Sequence, residues 1–341
     1  VTGVAEMIDD VKERGDVAVA EWAMRLDGSA PERALPDPSS LPREEIRDLA
    51  DAVRRWHIVQ RPLDVRYETL PGVELERRWV PIGSVGVYVP RGLISTLVMC
   101  VVPAQVAGVE RIVVVTPPQE APLVAAAAAE LGVEEVWALG GPHAIAALAY
   151  GTETIAAVDK IVGPGNAYVN EAKLLVSRDV AIDLPAGPSE VVVVVSGRGH
   201  GDIALRELAA QAEHGPHSVC RIIEAGDDIE GAIREAEEIA PEHLVLLGDE
   251  AEAFASRIKN AGAIFVGSYS PVAAGDYATG GNHVLPTGGW AKTCGGLGTE
   301  TFLKPVTIQR LTAAGLEGIR PTVEALAAAE RMPQHAQAVR R

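Results

Sequence analysis

"RIVVVTPPQEAPLVAAAAAELGVEEVWAL", residues 111–139, decides the architecture. The run "RIVVV" (111–115) is apolar on both alternating faces and reads as a buried strand. "APLVAAAAAELG" (121–132) carries a proline near its start and a glycine at its end, which are helix punctuation. "EEVWAL" (134–139) is a second strand. A strand, a helix and a strand joined by short turns form a parallel crossover, and such crossovers are right-handed. The same alternation continues outward through helix 142–151, strand "DKIVG" (159–163), helix 166–176 and strand "VAID" (180–183). A second series begins at 190 with strand "EVVVVV", then the helix ending in "LAAQAEHGPHS" (208–218). Strand "HSVCRII", helix 227–239, strand "HLVLL", helix 250–260 and strand "GAIFVG" follow.

Upstream, residues 3–26 show helical periodicity through Val4, Met7, Ile8, Val11, Val17 and Trp22, stopping at "DGS". A proline-rich loop, a helix near 43–60 and short strands near 73–80 and 84–89 lead into the first series. A glycine-rich polar stretch, 268–290, interrupts the second, and 313–340 reads as helical. The fold expected is α/β: two Rossmann-like parallel-sheet domains plus a small C-terminal helical tail. One domain is expected to be discontinuous (1–86 and 190–288), the other inserted (87–189), and 289–341 forms a strand and helical tail. A cleft between the two sheet domains is the expected place for a ligand.

The charge of −17, from 47 acidic and 30 basic residues, opposes binding to nucleic acid or to an anionic membrane surface. No run approaches the ~18 apolar residues of a spanning helix. No signal peptide is read at the start, and a cytoplasmic protein is expected. The chain begins at Val1 within what reads as a helix, as a trimmed chain or a fragment would. Cys100, Cys220 and Cys294 lie far apart, as reduced thiols do, with no thiolate zinc spacing.

Six polar islands carry the candidate chemistry. In "QAEHGP", Gln211 and His214 stand three residues apart near a helix end. They read either as a solvated C-terminal turn or as paired ligands. "GPGNAYVNEAK" (163–173) sets glycines between a strand and a helix, a turn that lets a ligand approach helix N–H groups or that is simply tight. Ser189, in "IDLPAGPSEV", is either a turn residue or a substrate contact. Glu242 and His243 in "PEHL" are adjacent at a strand start, where both can reach one cleft as an acid–base pair or serve as a cap and a satisfied core histidine. "AGDYATGGNHVLPTGG" (274–289) presents Asp276 and His283 on a glycine-built loop. Near the C-terminus, Glu330 and His335 stand in a tail able to dock elsewhere. Gln211, His214, Asp276 and His335 together are nitrogen and oxygen donors suited to a divalent ion of the zinc class, although they form no standard spacing motif.

These islands, with "VGVYVP", "VPAQVAGV", "GPGNAYVNEAK", "IDLPAGPSEV", "QAEHGP" and "PEHL" in this order over nearly the whole chain, resemble the histidinol dehydrogenases, a zinc- and NAD-dependent family. The resemblance implies oxidation of L-histidinol to L-histidine in two NAD-dependent steps through a held aldehyde, the end of histidine biosynthesis. It implies zinc on Gln211, His214, Asp276 and His335, with His335 from the partner of a homodimer. It makes Glu242 and His243 the catalytic pair, and Ser189, His283 and the partner-donated Glu330 the substrate contacts. Tyr88, His143 and Asn166 fall at positions lining the NAD site.

The chain departs from the family pattern in places. Segment 88–99 is shorter, with Arg91 where a glycine is usual; His143 replaces a usual glutamine; the stretch from His214 to Glu242 is markedly shortened; and the N-terminal extension is abbreviated or missing. Two further readings stay open at this level. One is a paralogue oxidising another amino alcohol or a polar diol. The other is a non-catalytic zinc-binding relative.

Overall fold

The computed structural model describes residues 3–39, 41–185 and 187–340. The first part of the chain runs α1 (Val4–Arg14), α2 (Asp16–Leu26), β1 (Glu32–Arg33), α3 (Arg43–Val59), β2 (Val65–Leu70), β3 (Val73–Pro81) and β4 (Ser84–Tyr88). Next come α4 (Ile94–Ala107), β5 (Arg111–Thr116), α5 (Ala121–Glu130), β6 (Val136–Ala138), α6 (Gly141–Tyr150), β7 (Lys160–Val162), α7 (Ala167–Val176) and β8 (Ala181–Ile182). The remainder is β9 (Glu190–Val195), α8 (Gly201–Ala212), β10 (Val219–Glu224), α9 (Ile229–Ile239), β11 (His243–Leu247), α10 (Asp249–Glu252), β12 (Ala263–Val266), α11 (Val272–Tyr277), β13 (Leu303–Leu311), α12 (Ala313–Ala329) and α13 (Pro333–Ala338).

Two compact units result: Val1–Gln60 with Ile82–Phe302, and Arg61–Pro81 with Leu303–Arg341. The larger holds both parallel sheets. Its first sheet has the order β1-β6-β5-β4-β7-β8, all parallel except β1 against β6. The strand order therefore reverses between β4 and β7, and the crevice beyond the carboxyl ends of these strands is where such sheets bind ligands. Gly163, just after β7, takes φ +104°, and a Cβ there would lie 2.2 Å from the Tyr88 carbonyl oxygen, so only glycine fits. Both backbone groups of Gly163 are held by a buried ion pair. Lys173 Nζ donates to its carbonyl at 2.9 Å, and its N–H donates to Asp183 Oδ2 at 2.7 Å.

The second sheet, β10-β9-β11-β12, is wholly parallel. The valines of β9 alternate as a doubly covered strand requires. Val192 and Val194 pack with Ile233, Ala236 and Leu246, while Val191 and Val193 pack with Val245, Leu247 and Val272. The smaller unit is an antiparallel sheet, β13-β3-β2, with α12 and α13. Among the described residues, no helix is long and apolar enough to cross a membrane.

The parallel alternation is as expected from the sequence. Residues 1–60 fall in one unit with 82–302, which holds both 87–189 and 190–288. Val4, Ile8, Val11 and Val19 of α1 and α2 share a core with Val113, Ile145 and Leu148 of the first sheet and its helices. That sheet also claims β4 from residue 84. Residues 61–81 fall in the smaller unit, where 73–81 pair with 303–311. Three elements differ. The helix expected over 250–260 stops at Glu252, the tail helix breaks at residues 330–332 before Pro333, and Asp276 stands on a short helix rather than a loop.

Candidate active site

The site gathers where β9 and β11 begin. Ser189 and Glu190 enter β9 and Glu242 and His243 enter β11, with His243 registered against Val191. Glu242 is buried. Its Oε2 accepts from Ser189 Oγ at 2.7 Å and from the Glu190 N–H at 2.8 Å. Burial pushes the Glu242 carboxyl up to about 7, against the two donors and with the help of the neighbouring Glu190 charge. His243, also buried, packs its ring 5.9 Å from that of Phe265. Its Nδ1–H donates to the Glu190 carbonyl at 3.0 Å, which leaves Nε2 as the basic nitrogen. Nε2 is buried and has no partner in the chain. Desolvation holds this imidazole below the usual histidine range, hence neutral near pH 7.

Two further elements complete the cluster. Gln211, on α8, is 2% exposed and its side-chain nitrogen lacks any partner. A half-turn of the amide brings its oxygen to the same spot. His214 follows just beyond α8 and is exposed, near enough for a positive charge placed on it to be felt by Glu242, His243, Asp276 and His283. Asp276 comes from α11, whose start is tied to α8 by the Val272 N–H donating to Glu207 Oε2 at 3.1 Å. Burial raises the Asp276 carboxyl, and the Glu242 and Glu207 charges push it the same way.

His283 lies in the following loop. Its Nδ1–H donates to the Asp276 carbonyl at 3.2 Å, so Nε2 accepts from Thr96 Oγ1 at 3.2 Å. Burial lowers His283 to about 4 and keeps it neutral. Asn282 anchors the loop by donating to the Met99 carbonyl at 2.8 Å.

Ser189, Gln211, His214, Glu242, His243, Asp276 and His283 thus belong to one neighbourhood. Glu330 and His335 lie in the smaller unit, both exposed. Among the described residues, no three His, Cys, Asp or Glu side chains converge as a ready metal centre. The positions expected for a cofactor surround the strand reversal with their polar atoms largely engaged. Tyr88 Oη accepts the Gly141 N–H at 3.3 Å, and Asn166 Oδ1 caps α7 by accepting from Tyr168 and Val169 N–H, each at 3.1 Å. His143 is fully buried, with Nε2 on Asp27 at 3.2 Å and Nδ1 without a partner. Arg91 holds φ +49°, the left-handed region that favours glycine.

Sequence reading missed Glu190, Glu207, Asp27 and Thr96. Only Glu190 left a signal, a single carboxylate heading the most apolar strand of the chain.

Comparison with known proteins places the chain among relatives. The family model described as histidinol dehydrogenase matches residues 1–227 and 221–341. The histidinol dehydrogenase of Haloarcula marismortui is 41% identical over 390 aligned positions, covering 99% of this chain and 92% of that protein. That of Methanosarcina mazei is 38% identical, covering 99% and 90%. The crystal structure of histidinol dehydrogenase from Elizabethkingia anophelis superposes with a TM-score of 0.92 at 32% identity, covering 98% of this chain and 90% of that one. The two family matches overlap at 221–227, within and just after β10, in the stretch between His214 and Glu242 that reads as shortened. Two matched stretches spanning the chain, and relatives this similar over nearly all of it, place the protein in the histidinol dehydrogenase family.

Proposed function

We propose that this protein oxidises L-histidinol to L-histidine through L-histidinaldehyde, using two NAD and one divalent ion of the zinc class. The observation that carries the reading is the buried Glu242–His243 pair, with Nε2 of His243 left unpartnered in a chain of this family.

The donor set fits a metal. An amide whose nitrogen lacks a partner, an imidazole and a carboxylate lifted by burial are what a cation of this class would draw together. Gln211, His214 and Asp276 would hold it from one chain and His335 from a partner. That division is consistent with a chain that by itself brings only two His or Asp side chains to the set. The strand reversal at β4 and β7 fits a dinucleotide, with Tyr88 and Asn166 beside it. Bound there, the two groups would supply a redox-inert Lewis acid and a hydride acceptor.

The chain's own residues do the rest. His243 Nε2 takes the hydroxyl proton as the alcohol becomes an aldehyde. Glu242, near half ionised at neutral pH, accepts a proton from the water that adds to that aldehyde, and the hydrate yields the second hydride. Both bonds to Glu242 fall on Oε2, which leaves Oε1 for this transfer. Ser189 Oγ, its hydrogen committed to Glu242, can still accept from substrate. His283 and the partner's Glu330 complete the proposed substrate contacts. Burial of the pair keeps the aldehyde from bulk water.

A second copy is also part of the proposal. The smaller unit leaves Val65, Tyr67, Leu70, Leu326 and Met332 exposed, a surface suited to docking on a partner. The three cysteines are free thiols, which suits the reducing cytoplasm.

A substrate screen tests the reading: kcat/KM should be highest for L-histidinol. A clear preference for another amino alcohol or a diol would make the protein a paralogue with the same machinery. Gln211→Ala and His214→Ala should each lower the zinc content of purified protein. Unchanged zinc in both would remove the proposed ligand set.

A further inference from the structure

Glu190 takes no part in the proposed proton transfers themselves, yet four bonds converge on it. Its N–H donates to Glu242 Oε2 at 2.8 Å, and its carbonyl accepts from His243 Nδ1 at 3.0 Å. Its carboxylate accepts the Glu242 N–H on Oε2 at 3.3 Å and the Gly288 N–H on Oε1 at 3.0 Å. The two glutamates thus bind each other's backbone across the β9–β11 seam. This arrangement resists sliding of either strand end, since a shift breaks both bonds together. The side chain is 9% exposed and heads a strand of buried valines, where an unpaired carboxylate would be costly.

From this geometry we propose that Glu190 is the positioning residue for both members of the acid–base pair. Its main chain fixes which nitrogen of His243 is basic and which oxygen of Glu242 is free, and its carboxylate locks that main chain in place. The Gly288 bond extends the lock to residues 282–288, the end of the segment that carries His283. The negative charge on Glu190 also favours the protonated form of Glu242, in keeping with a base poised near neutrality.

Acting through both residues has a signature that action through one does not. Glu242→Gln should impair chiefly the aldehyde half-reaction, whereas a change at Glu190 should slow both halves. Glu190→Gln is the direct variant. Its amide offers one acceptor where two N–H donors need one each, so one strap is lost while size and packing are kept. A misplacement of reacting groups by about 1 Å costs on the order of 10²-fold in rate.

The inference rests on the histidinol reading, so wild type is assayed alongside with L-histidinol and with L-histidinaldehyde. Glu190→Gln should lower kcat about 30-fold or more with both substrates. KM for substrate and NAD should stay within about 3-fold, and zinc content should be unchanged. Equal kcat in variant and wild type would overturn the proposal. So would a loss confined to one half-reaction, or one expressed in KM and zinc content. If Glu190→Gln does not fold, Glu190→Asp decides by the same criteria, since it keeps the charge and shortens the reach by one methylene. A wild type inactive on histidinol would sink the functional reading and leave the positioning role to be judged on the amino alcohol it does oxidise.

Discussion

Glu242 is held in two roles that pull against each other. Burial raises it from 4.5 to about 7, so the folded protein binds a proton there that the unfolded chain releases between these values. The associated stability is fully present below 4.5 and lost as pH rises through 7, about 3 kcal/mol in all. Glu242→Gln, unable to ionise, should lose none of it. In metal-free protein its urea stability relative to wild type should improve by about that amount from pH 4.5 to pH 8. A difference that stays constant across this range would show that the carboxyl is not shifted. Arg91 makes a simpler case. A non-glycine residue in the left-handed region costs roughly 1–2 kcal/mol, part of which glycine returns as unfolded-chain entropy. Arg91→Gly should therefore stabilise the fold by about 0.5–1 kcal/mol in chemical denaturation. Destabilisation would mean that the Arg91 side chain makes a compensating contact. The adjacent Glu242 and His243 were legible because two chemical groups side by side at a strand start are unusual. Glu190 was harder to read: its carboxylate at the head of an apolar strand was a signal, but its two bonds to the pair itself are made by main-chain atoms that carry no residue identity. Asp27 and His143 meet across 116 positions, which no local pattern reports.

Between β7, α7 and β8, the Lys173–Asp183 pair braces the point where the strand order of the first sheet reverses. It fastens Gly163 against Tyr88 where the strand order reverses. Lys173→Met removes one partner and leaves Asp183 as a buried charge. The loss should be about 3–5 kcal/mol by urea denaturation. A loss under about 1 kcal/mol would mean that the pair is dispensable. The parallel strands and their helices could be read from composition because each strand is apolar on both faces and each crossover is local. The antiparallel ribbon could not be read in full. β2 is exposed at all six positions, so it carries no alternation, and β3 finds β13 some 230 residues away. Which sheet α1 and α2 cover was not legible for a similar reason. An amphipathic helix announces that it has an apolar face, but not which sheet covers it.

The smaller unit buries few side chains, among them Val73, Leu303 and Ala327, too few for an independent core. It also carries Glu330 and His335. If these serve a partner's site, activity is divisible between chains. Mixing inactive His243→Ala with inactive His335→Ala subunits, then unfolding and refolding them together, should restore activity. Each mixed dimer would hold one intact site and one doubly damaged site. No recovery from a mixture shown to contain hybrid dimers would place all ligands in one chain. The alignment with the Haloarcula relative runs to 390 positions against 341 residues here, so this chain is matched over nearly its whole length with fewer residues. The proposed activity is a single four-electron, NAD-linked oxidation. The direct measurement is the NADH formed from limiting L-histidinol by the zinc-loaded protein, with a chelator-treated control. Two NADH per histidinol, abolished by chelation and restored by zinc, is the predicted result. One NADH with release of the aldehyde, or no NADH from folded, zinc-bearing dimer, would contradict it.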